Sequence, residues 1–439
     1  MSKVKTGLII FLSGLAIYLT SQLWFAKISS RNFFYSFFPQ TEPQELGNEK
    51  TFAWPYRFIT NYGGNRFGIL YSGMGLNLLR ESCDGIVANM LKDGEHLITR
   101  ELNYADVFSA PGYVFEYAFN MPLSVFSSIF GRPGFSDDLE YLTSIVFLPP
   151  DAVREVTIVW LLDESNKVMS GYSVKSSLAP ITVNPDDFYQ EILYESSALS
   201  SDIPTDNNIF IARLSDDSYD YPTVSIVNPY VEKELLIGVI EQRVNVFFEN
   251  PSAKYSFPGD NNVYTYIDAY TAVKYFQNDV LDYSNYRVGK EETGMLKSYS
   301  AALSFIQSDA FIVNEYYLAD YKQNDTAYTF YFDYIVNNFP VFLPDEYKRS
   351  EQASGAVAIG HALEITVREG NVVNYRKIVY NFITDTLSKT AKLDFEETFP
   401  EVSASQVSKL VLGYRLDLSK KAYLYWTMRL GDQFLSKIG

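Results

Sequence analysis

Polar and apolar positions along this chain follow three rhythms, and each predicts a different element. From Thr6 to Ala26, "TGLIIFLSGLAIYLTSQLWFA", no position is charged, so the stretch has no strongly polar face. At about 1.5 Å of rise per residue, a helix of this length spans about 30 Å, the hydrocarbon thickness of a bilayer. Residues 6–26 are therefore predicted to cross a membrane once, after a short tail (1–5) and before a stalk (27–50) that holds Pro39 and Pro43. Bulky Trp24 and Phe25, followed by Lys27, argue against a cleaved signal peptide, which ends in small residues. Lys3 and Lys5 before the span against Lys27 and Arg31 after it bias orientation only mildly; the short leader and the large acidic region behind it favour N-terminus in, bulk out.

A helical period governs "LNLLRESCDGIVANML", where Leu76, Leu79, Cys83, Val87 and Met90 share one face. The stretch "VEKELLIGVIEQRVNVFF" is also read as helical, and Pro185 opens a short predicted helix, "DDFYQEILYESS". Elsewhere the period is two. The stretch "YRFITNYGGNRFGILYSGMG" predicts a strand pair around Gly63 and Gly64; "YVFEYAFNMPLSVFSSIFG", "VREVTIVWLLD" and "KVMSGYSVK" predict further strands. These elements make one mixed α/β domain over residues 51–200, and the polar run "SALSSDIPTDNN" reads as a linker.

Beyond the linker one pattern occurs twice, about 90–95 residues apart. "TAVKYFQNDVLDYSNY" from Thr271 matches "HALEITVREGNVVNYR" from His361, each a strand, a polar turn and a strand bearing Tyr. "TAYTFYFDYIV" from Thr326 matches "KAYLYWTMRL" from Lys421. A helix candidate lies inside each unit, "GMLKSYSAALSFIQS" in the first and "SASQVSKL" in the second. The predicted fold class is α+β: a transmembrane helix, the mixed domain, and two repeated β-β-α-β-β modules in residues 207–345 and 346–439. The expected product is a pair of antiparallel sheets, each with a helix on one face.

Composition narrows the function. With 47% hydrophobic residues in 439, the chain can bury substantial cores, and no segment after residue 26 matches the first in apolar length. A net charge of -17 argues against nucleic acid or anionic lipid surfaces as partners. Cys83 is the single cysteine, which excludes an intramolecular disulfide and a cysteine-based zinc cluster. The 35 Tyr and 32 Phe fall mostly at alternating positions, as sheet faces require.

Catalytic chemistry is not evident. His96 sits in a predicted polar turn and His361 begins a predicted strand; Glu364 three residues on does not make the HExxH spacing of a zinc helix. No GxSxG elbow presents a serine. In "YSGMGLNLLRES" Gly73 and Gly75 precede a helix, but the third glycine and a P-loop lysine are missing, so a tight turn is the better reading. The acidic runs "SDDSYDYP" and "FSDDLE" lack the alternating oxygens of a calcium loop and read as solvated turns. No catalytic residue, metal or cofactor is predicted. Inside the span, Gly7, Gly14 and Ser21 recur every seven residues, with Phe11 and Tyr18 between them, a stripe that allows close helix packing in lipid. An inert tether is the alternative reading of the same residues.

The anchor "LSGLAIYLTSQLW" resembles that of the YycH family. "YYLADYKQNDTAYTFYFDYIVNNFPVFL" with "HALEITVREGNVVNYRKIVY" is similar to the module which that family shares with YycI. The resemblance covers most of the chain through diffuse patterns. It implies a single-pass protein on the outer face of a Gram-positive cell membrane, its N-terminus cytoplasmic. It also implies partnership with a YycI-like protein and with a sensor histidine kinase of the WalK/YycG type that governs cell-wall metabolism. Control in that family passes largely through transmembrane-helix contacts, and the family offers no catalytic residues to carry over. The alternative function is a surface receptor that holds a small ligand or wall fragment between the sheet modules; an enzyme with an unrecognised site ranks last. The mature chain is expected to retain residues 1–26 in the membrane fraction; a polypeptide trimmed after this stretch and released into the medium would overturn the reading.

Overall fold

Gly63, Gly64 and Asn65 adopt positive φ angles of 85°, 62° and 58°, the left-handed conformation that a tight reversal demands. They join β1 (Arg57–Gly63) to β2 (Arg66–Leu70), the strand pair that the alternation predicts. The computed structural model describes residues 48–71, 74–150, 155–175, 192–200, 208–213, 218–228, 236–258, 263–287, 293–309, 314–348, 356–392, 407–417, 421–430 and 433–438. The predicted membrane span and most of the stalk, up to residue 47, lie outside these residues. No described helix is long and apolar enough to cross a membrane.

Helix α1 (Met74–Asp93) follows β2 and buries Cys83, Ile86, Val87, Met90 and Leu91. Its end is set by Gly94, whose N–H donates to the Met90 carbonyl at 2.9 Å; a Cβ there would stand 2.5 Å from that oxygen. The chain continues through β3 (Glu95–Glu101), α2 (Tyr104–Val107), β4 (Gly112–Pro122), α3 (Leu123–Ile129), β5 (Tyr141–Leu148), β6 (Thr157–Asp163), β7 (Val168–Val174), β8 (Leu193–Ser196) and β9 (Phe210–Arg213). These strands form one nine-stranded sheet, β3-β7-β6-β5-β4-β1-β2-β8-β9.

Three expectations for this region are corrected. "PLSVFSSI" is not strand: from Leu123 the chain turns helical with Leu123 and Phe126 buried, a helical spacing hidden by the preceding alternation. The end of "DDFYQEILYESS" is strand β8, which pairs with β2 and β9 and so continues the sheet to Arg213; its start lies outside the described residues. His96 lies on β3 opposite Tyr172, not in a turn.

The second sheet collects β10 (Ser218–Val227), β11 (Tyr255–Pro258), β12 (Tyr264–Ile267), β13 (Thr271–Tyr275), β14 (Val280–Asn285), β15 (Glu315–Asn324), β16 (Ala327–Val336), β17 (Phe339–Phe342), β18 (Leu363–Arg368), β19 (Asn371–Ile378), β20 (Asn381–Lys392), β21 (Val407–Leu416), β22 (Lys421–Leu430) and β23 (Gln433–Ile438). Its order is β11-β12-β13-β14-β19-β18-β16-β17-β21-β22-β10-β20, with β15 on β16 and β23 on β22. The predicted helices α4 (Leu236–Val244) and α5 (Met295–Ser308) are present.

The first repeat has the predicted order, β13-β14-α5-β15-β16. The second does not. Val407–Leu410 of "SASQVSKL", where the helix was expected, belong to β21, and β20 is a further strand ahead of it; Leu410, Leu412, Tyr414 and Leu416 alternate and pair with β22. Residues 403–406 lie outside the described residues. Likewise Ser218–Pro222 of "SDDSYDYP" are strand, with a register shift after Pro222, which lacks the N–H a regular ladder needs.

Nor do the two units form separate sheets. β14 pairs antiparallel with β19, which sets the repeat tyrosines Tyr283 and Tyr375 directly opposite one another. At this seam the groove expected between the modules is occupied by main-chain pairing. The same register aligns Tyr266, Val273, Tyr283, Tyr375, Ile365 and Phe330 in one buried row across six strands. Helix α5 lies over that row, with Phe305 4.9 Å from Tyr283 and 5.2 Å from Tyr375, and Tyr299 5.3 Å from Phe330 between ring centroids. Beyond its C-terminus, Asp309 is buried in an ion pair with Lys377.

Phe52, in the short 3-10 helix Asn48–Ala53, meets both sheets. Its ring lies 5.5 Å from Phe119 of β4, 5.0 Å from Tyr299 of α5, 5.7 Å from Tyr321 of β15 and 6.4 Å from Phe330 of β16. Replacing a fully buried Phe by Ala costs about 3–5 kcal/mol. Phe52→Ala should lower unfolding stability by that amount in a urea titration; a loss below about 1 kcal/mol would show that the two sheets do not depend on this ring.

Candidate functional site

The side chains expected to form the helix contact, Gly7, Phe11, Gly14, Tyr18 and Ser21, lie outside the described residues. Within the described residues one dense polar arrangement lies on the first sheet, with Tyr56 reaching the second. Arg57 of β1 stands opposite Glu116 of β4 in the strand register, which places their side chains on the same face. Arg57 Nε donates to Glu116 Oε2 at 2.8 Å and its Nη2 approaches the same oxygen at 2.7 Å; the Tyr56 hydroxyl donates to Glu116 Oε1 at 2.9 Å. The guanidinium also lies 5.3 Å from the ring centroids of Tyr56 and Phe210.

This group belongs to both sheets. The Tyr56 ring lies 5.7 Å from Tyr317 of β15, and Lys409 of β21 places its Nζ 4.6 Å from the Tyr56 centroid. Close by, the Tyr71 amide donates to Asn338 Oδ1 at 2.7 Å. Burial works against the Arg57 charge, but the Glu116 carboxylate outweighs it and holds the guanidinium above its usual range. Such a pair adds little net stability, yet removing one partner leaves a buried charge uncompensated.

Glu164, just past β6, shares this environment. Burial, and then the charge of Glu116, push its carboxyl up to about 7, offset in part by the Tyr104 hydroxyl, Lys167 and Arg57. Burial is the main reason, and because Arg57 is committed to Glu116 it offsets little, so Glu164 keeps a proton near neutrality. Two neighbouring carboxyls are the raw material of acid–base catalysis. Here, however, Glu116 is spent on Arg57 and Tyr56, so the pair is structural within the first sheet, Tyr56 reaches the second, and Glu164 holds a proton.

The histidines have ordinary partners. His361 Nδ1 lies 3.0 Å from Asp333 Oδ2, the Ala362 amide donates to Asp333 Oδ1 at 3.0 Å, and the Gly360 amide donates to Glu364 Oε1 at 2.7 Å. Burial opposes the imidazolium, while Asp333 and then Glu364 and Asp320 outweigh it and raise the His361 pKa. His96 Nε2 lies 2.9 Å from Thr99 Oγ1, which is 3.2 Å from Ser170 Oγ; that hydroxyl donates to Asp137 Oδ2 at 2.7 Å. Ser170 is buried with its proton committed, so the chain of contacts presents no nucleophile. Asp137 of "FSDDLE" thus serves as an acceptor, as does Asp220 of "SDDSYDYP", which takes the Thr390 hydroxyl at 2.5 Å. Among the described residues, no group of three or more His, Cys, Asp or Glu could hold a metal ion.

Arg57, Glu116 and Glu164 were missed in the sequence. The available signal was a charge inside each of two apolar strand runs, "YRFI" and "VFEYAF"; nothing linear said that the two would face each other.

Two sheets, antiparallel but for the parallel pair β17–β21, packed at an aromatic seam and one of them covered by a helix, define the class: this chain has a YycH-like fold. The crystal structure of YycH from Bacillus subtilis superposes with a TM-score of 0.53, covering 88% of this chain and 96% of that one at 12% identity. An uncharacterized protein from Eubacterium rectale gives a TM-score of 0.33 at 13% identity, over 58% of this chain and 91% of that one. No family model matches the sequence, and no curated protein does.

A carboxyl whose folded pKa is raised binds its proton more tightly in the folded state, so its contribution is complete below the unfolded value and is lost as pH rises through the folded one. For Glu164 that window runs from about 4.3 to about 7. Glu164→Gln should remove this slope and raise stability at pH 8 by on the order of 1–2 kcal/mol, read from urea midpoints at pH 5 and pH 8. An unchanged slope would show that Glu164 is not the proton holder.

Proposed function

We propose that this protein is a membrane-anchored accessory protein that regulates a sensor histidine kinase of the WalK/YycG type, acting through its transmembrane helix and in complex with a YycI-like partner. The observation that carries this reading is the likeness of fold to YycH over 88% of this chain and 96% of that one. The uncharged stretch Thr6–Ala26 and its stripe of Gly7, Gly14 and Ser21 support the rest: they supply an anchor and a surface on which a neighbouring helix can pack closely. In this reading the folded body lies outside the cell, residues 1–5 lie inside, and the helix presents Gly7, Phe11, Gly14, Tyr18 and Ser21 to a helix of the kinase.

A helix transmits a signal only if its contact energy differs between the two packing states of its partner. Widening the stripe should therefore bias the kinase. Gly14→Leu is expected to change kinase output severalfold, the effect of about 1 kcal/mol or more of coupling, with protein level and membrane retention unchanged. Output identical to the parent would remove the helix from the mechanism.

A further inference from the structure

Residues 356–362, "AVAIGHA", form neither helix nor strand, yet each position from Val357 to Ala362 is held. Asn278 Nδ2 donates to the Val357 carbonyl at 2.9 Å, and Arg376 Nη1 donates to the Ala358 carbonyl at 3.0 Å. The Ile359 amide donates to the Tyr347 carbonyl at 2.7 Å, and the Ile359 side chain is buried. Glu364 Oε1 accepts the Gly360 amide at 2.7 Å and the His361 amide at 3.4 Å; Asp333 Oδ1 accepts the Ala362 amide at 3.0 Å. The segment is therefore a strap, tied down largely by side chains, that leads into β18. It also steadies Tyr347, whose hydroxyl meets that of Tyr380.

His361 is the one titratable side chain of the strap. Its Nδ1 lies 3.0 Å from Asp333 Oδ2, so a single carboxylate of β16 holds both the ring and the next backbone amide. Tyr331 of β16 stacks its ring 5.0 Å from the imidazole, and Glu364 of β18 ties the backbone of His361 itself. β15 contributes Asp320 and Lys322, whose Nζ lies 5.5 Å from the Tyr331 centroid. From β19, Arg376 stands opposite Glu364 in the register but is engaged by Asp282 of β14 at 3.1 Å. Asp333, Glu364 and Asp320 thus outnumber the cations facing them, and a charged His361 offsets the difference.

Burial opposes that charge, while Asp333, then Glu364 and Asp320, outweigh it and raise the His361 pKa. A raised folded value means that the folded state holds the proton more tightly. Its contribution is complete below the ordinary value of about 6.5 and is lost as pH rises through the folded one. The neutral ring still donates from Nδ1; what goes is the charge that strengthens the bond.

We propose that His361 is a proton-operated latch: protonated, it clamps the strap to β16 through Asp333, and loss of the proton frees residues 356–362 while both sheets stay folded. Release exposes Ile359 and removes the bond that steadies Tyr347. The latch needs neither the transmembrane helix nor the kinase, so it stands apart from the outcome of Gly14→Leu.

The test uses the full chain in detergent micelles with its two histidines labelled at Cε1, the His361 resonance being assigned by its loss in His361→Gln. Titration from about pH 5 to about pH 9 is expected to give a His361 midpoint above about 6.5, and a lower one in Asp333→Asn, which keeps an acceptor but not the charge. The amides of Ile359, Gly360, His361 and Ala362 are all hydrogen-bonded in the closed strap. Their hydrogen exchange, read by mass spectrometry and corrected for its intrinsic pH dependence, should show severalfold more frequent opening above the midpoint, with β5 and β6 unchanged. His361→Gln should hold the strap at its high-pH opening at every pH; should Asp333→Asn fail to fold, His361→Gln decides. A His361 midpoint at or below about 6.5, strap exchange that does not follow it, a midpoint unmoved in folded Asp333→Asn, equal loosening of β5 and β6, or the parent's pH response in His361→Gln would each overturn the proposal.

Discussion

Phe52 is the contact on which the two-sheet body turns. A sheet of nine strands and one of fourteen each have an inner face that water must not reach, and the fold closes both by setting one ring where Phe119, Tyr299, Tyr321 and Phe330 converge. The ring is fully buried, and edge-on contacts of this kind fix orientation as well as separation. The Arg57–Glu116 pair lies within the first sheet and adds little net energy, while Tyr56, which donates to Glu116, carries the contact to Tyr317 and Lys409 of the second.

The fourteen-stranded sheet shows how a duplication becomes one object. Two hairpins of the same pattern pair through their second strands, and Tyr283 meets Tyr375 across the join. Each hairpin covers the edge the other would have left open. One helix, α5, then packs its rings on Tyr283, Tyr375 and Phe330, side chains drawn from both repeats. The described part of the second expected helix, from Val407, is strand β21 paired with β22, and β20 extends the sheet beside β10.

Much of this was legible in the chain. Period-two runs located β1, β2, β6, β7, β13, β14, β16, β18, β19 and β22, and period-3.6 runs located α1, α4 and α5, because alternation and helical spacing follow directly from backbone geometry. Failures came where one short stretch satisfied both periods. Val407 and Leu410 are three apart and look helical, yet they belong to a bulged strand; Leu123 and Phe126 follow a long alternating run and look extended, yet they open a helix. Neighbouring strands and packed faces settle such cases.

By itself the sequence determined the uncharged N-terminal stretch, the lone cysteine, the duplicated pattern and the identity of most strands, since these depend only on side-chain chemistry and the spacing of near neighbours. Only the tertiary structure decided that the two repeats share one sheet and that Arg57 faces Glu116 while Glu164 keeps a proton. Those features arise between residues far apart in the chain, where distance and burial, rather than order along the backbone, set the energy.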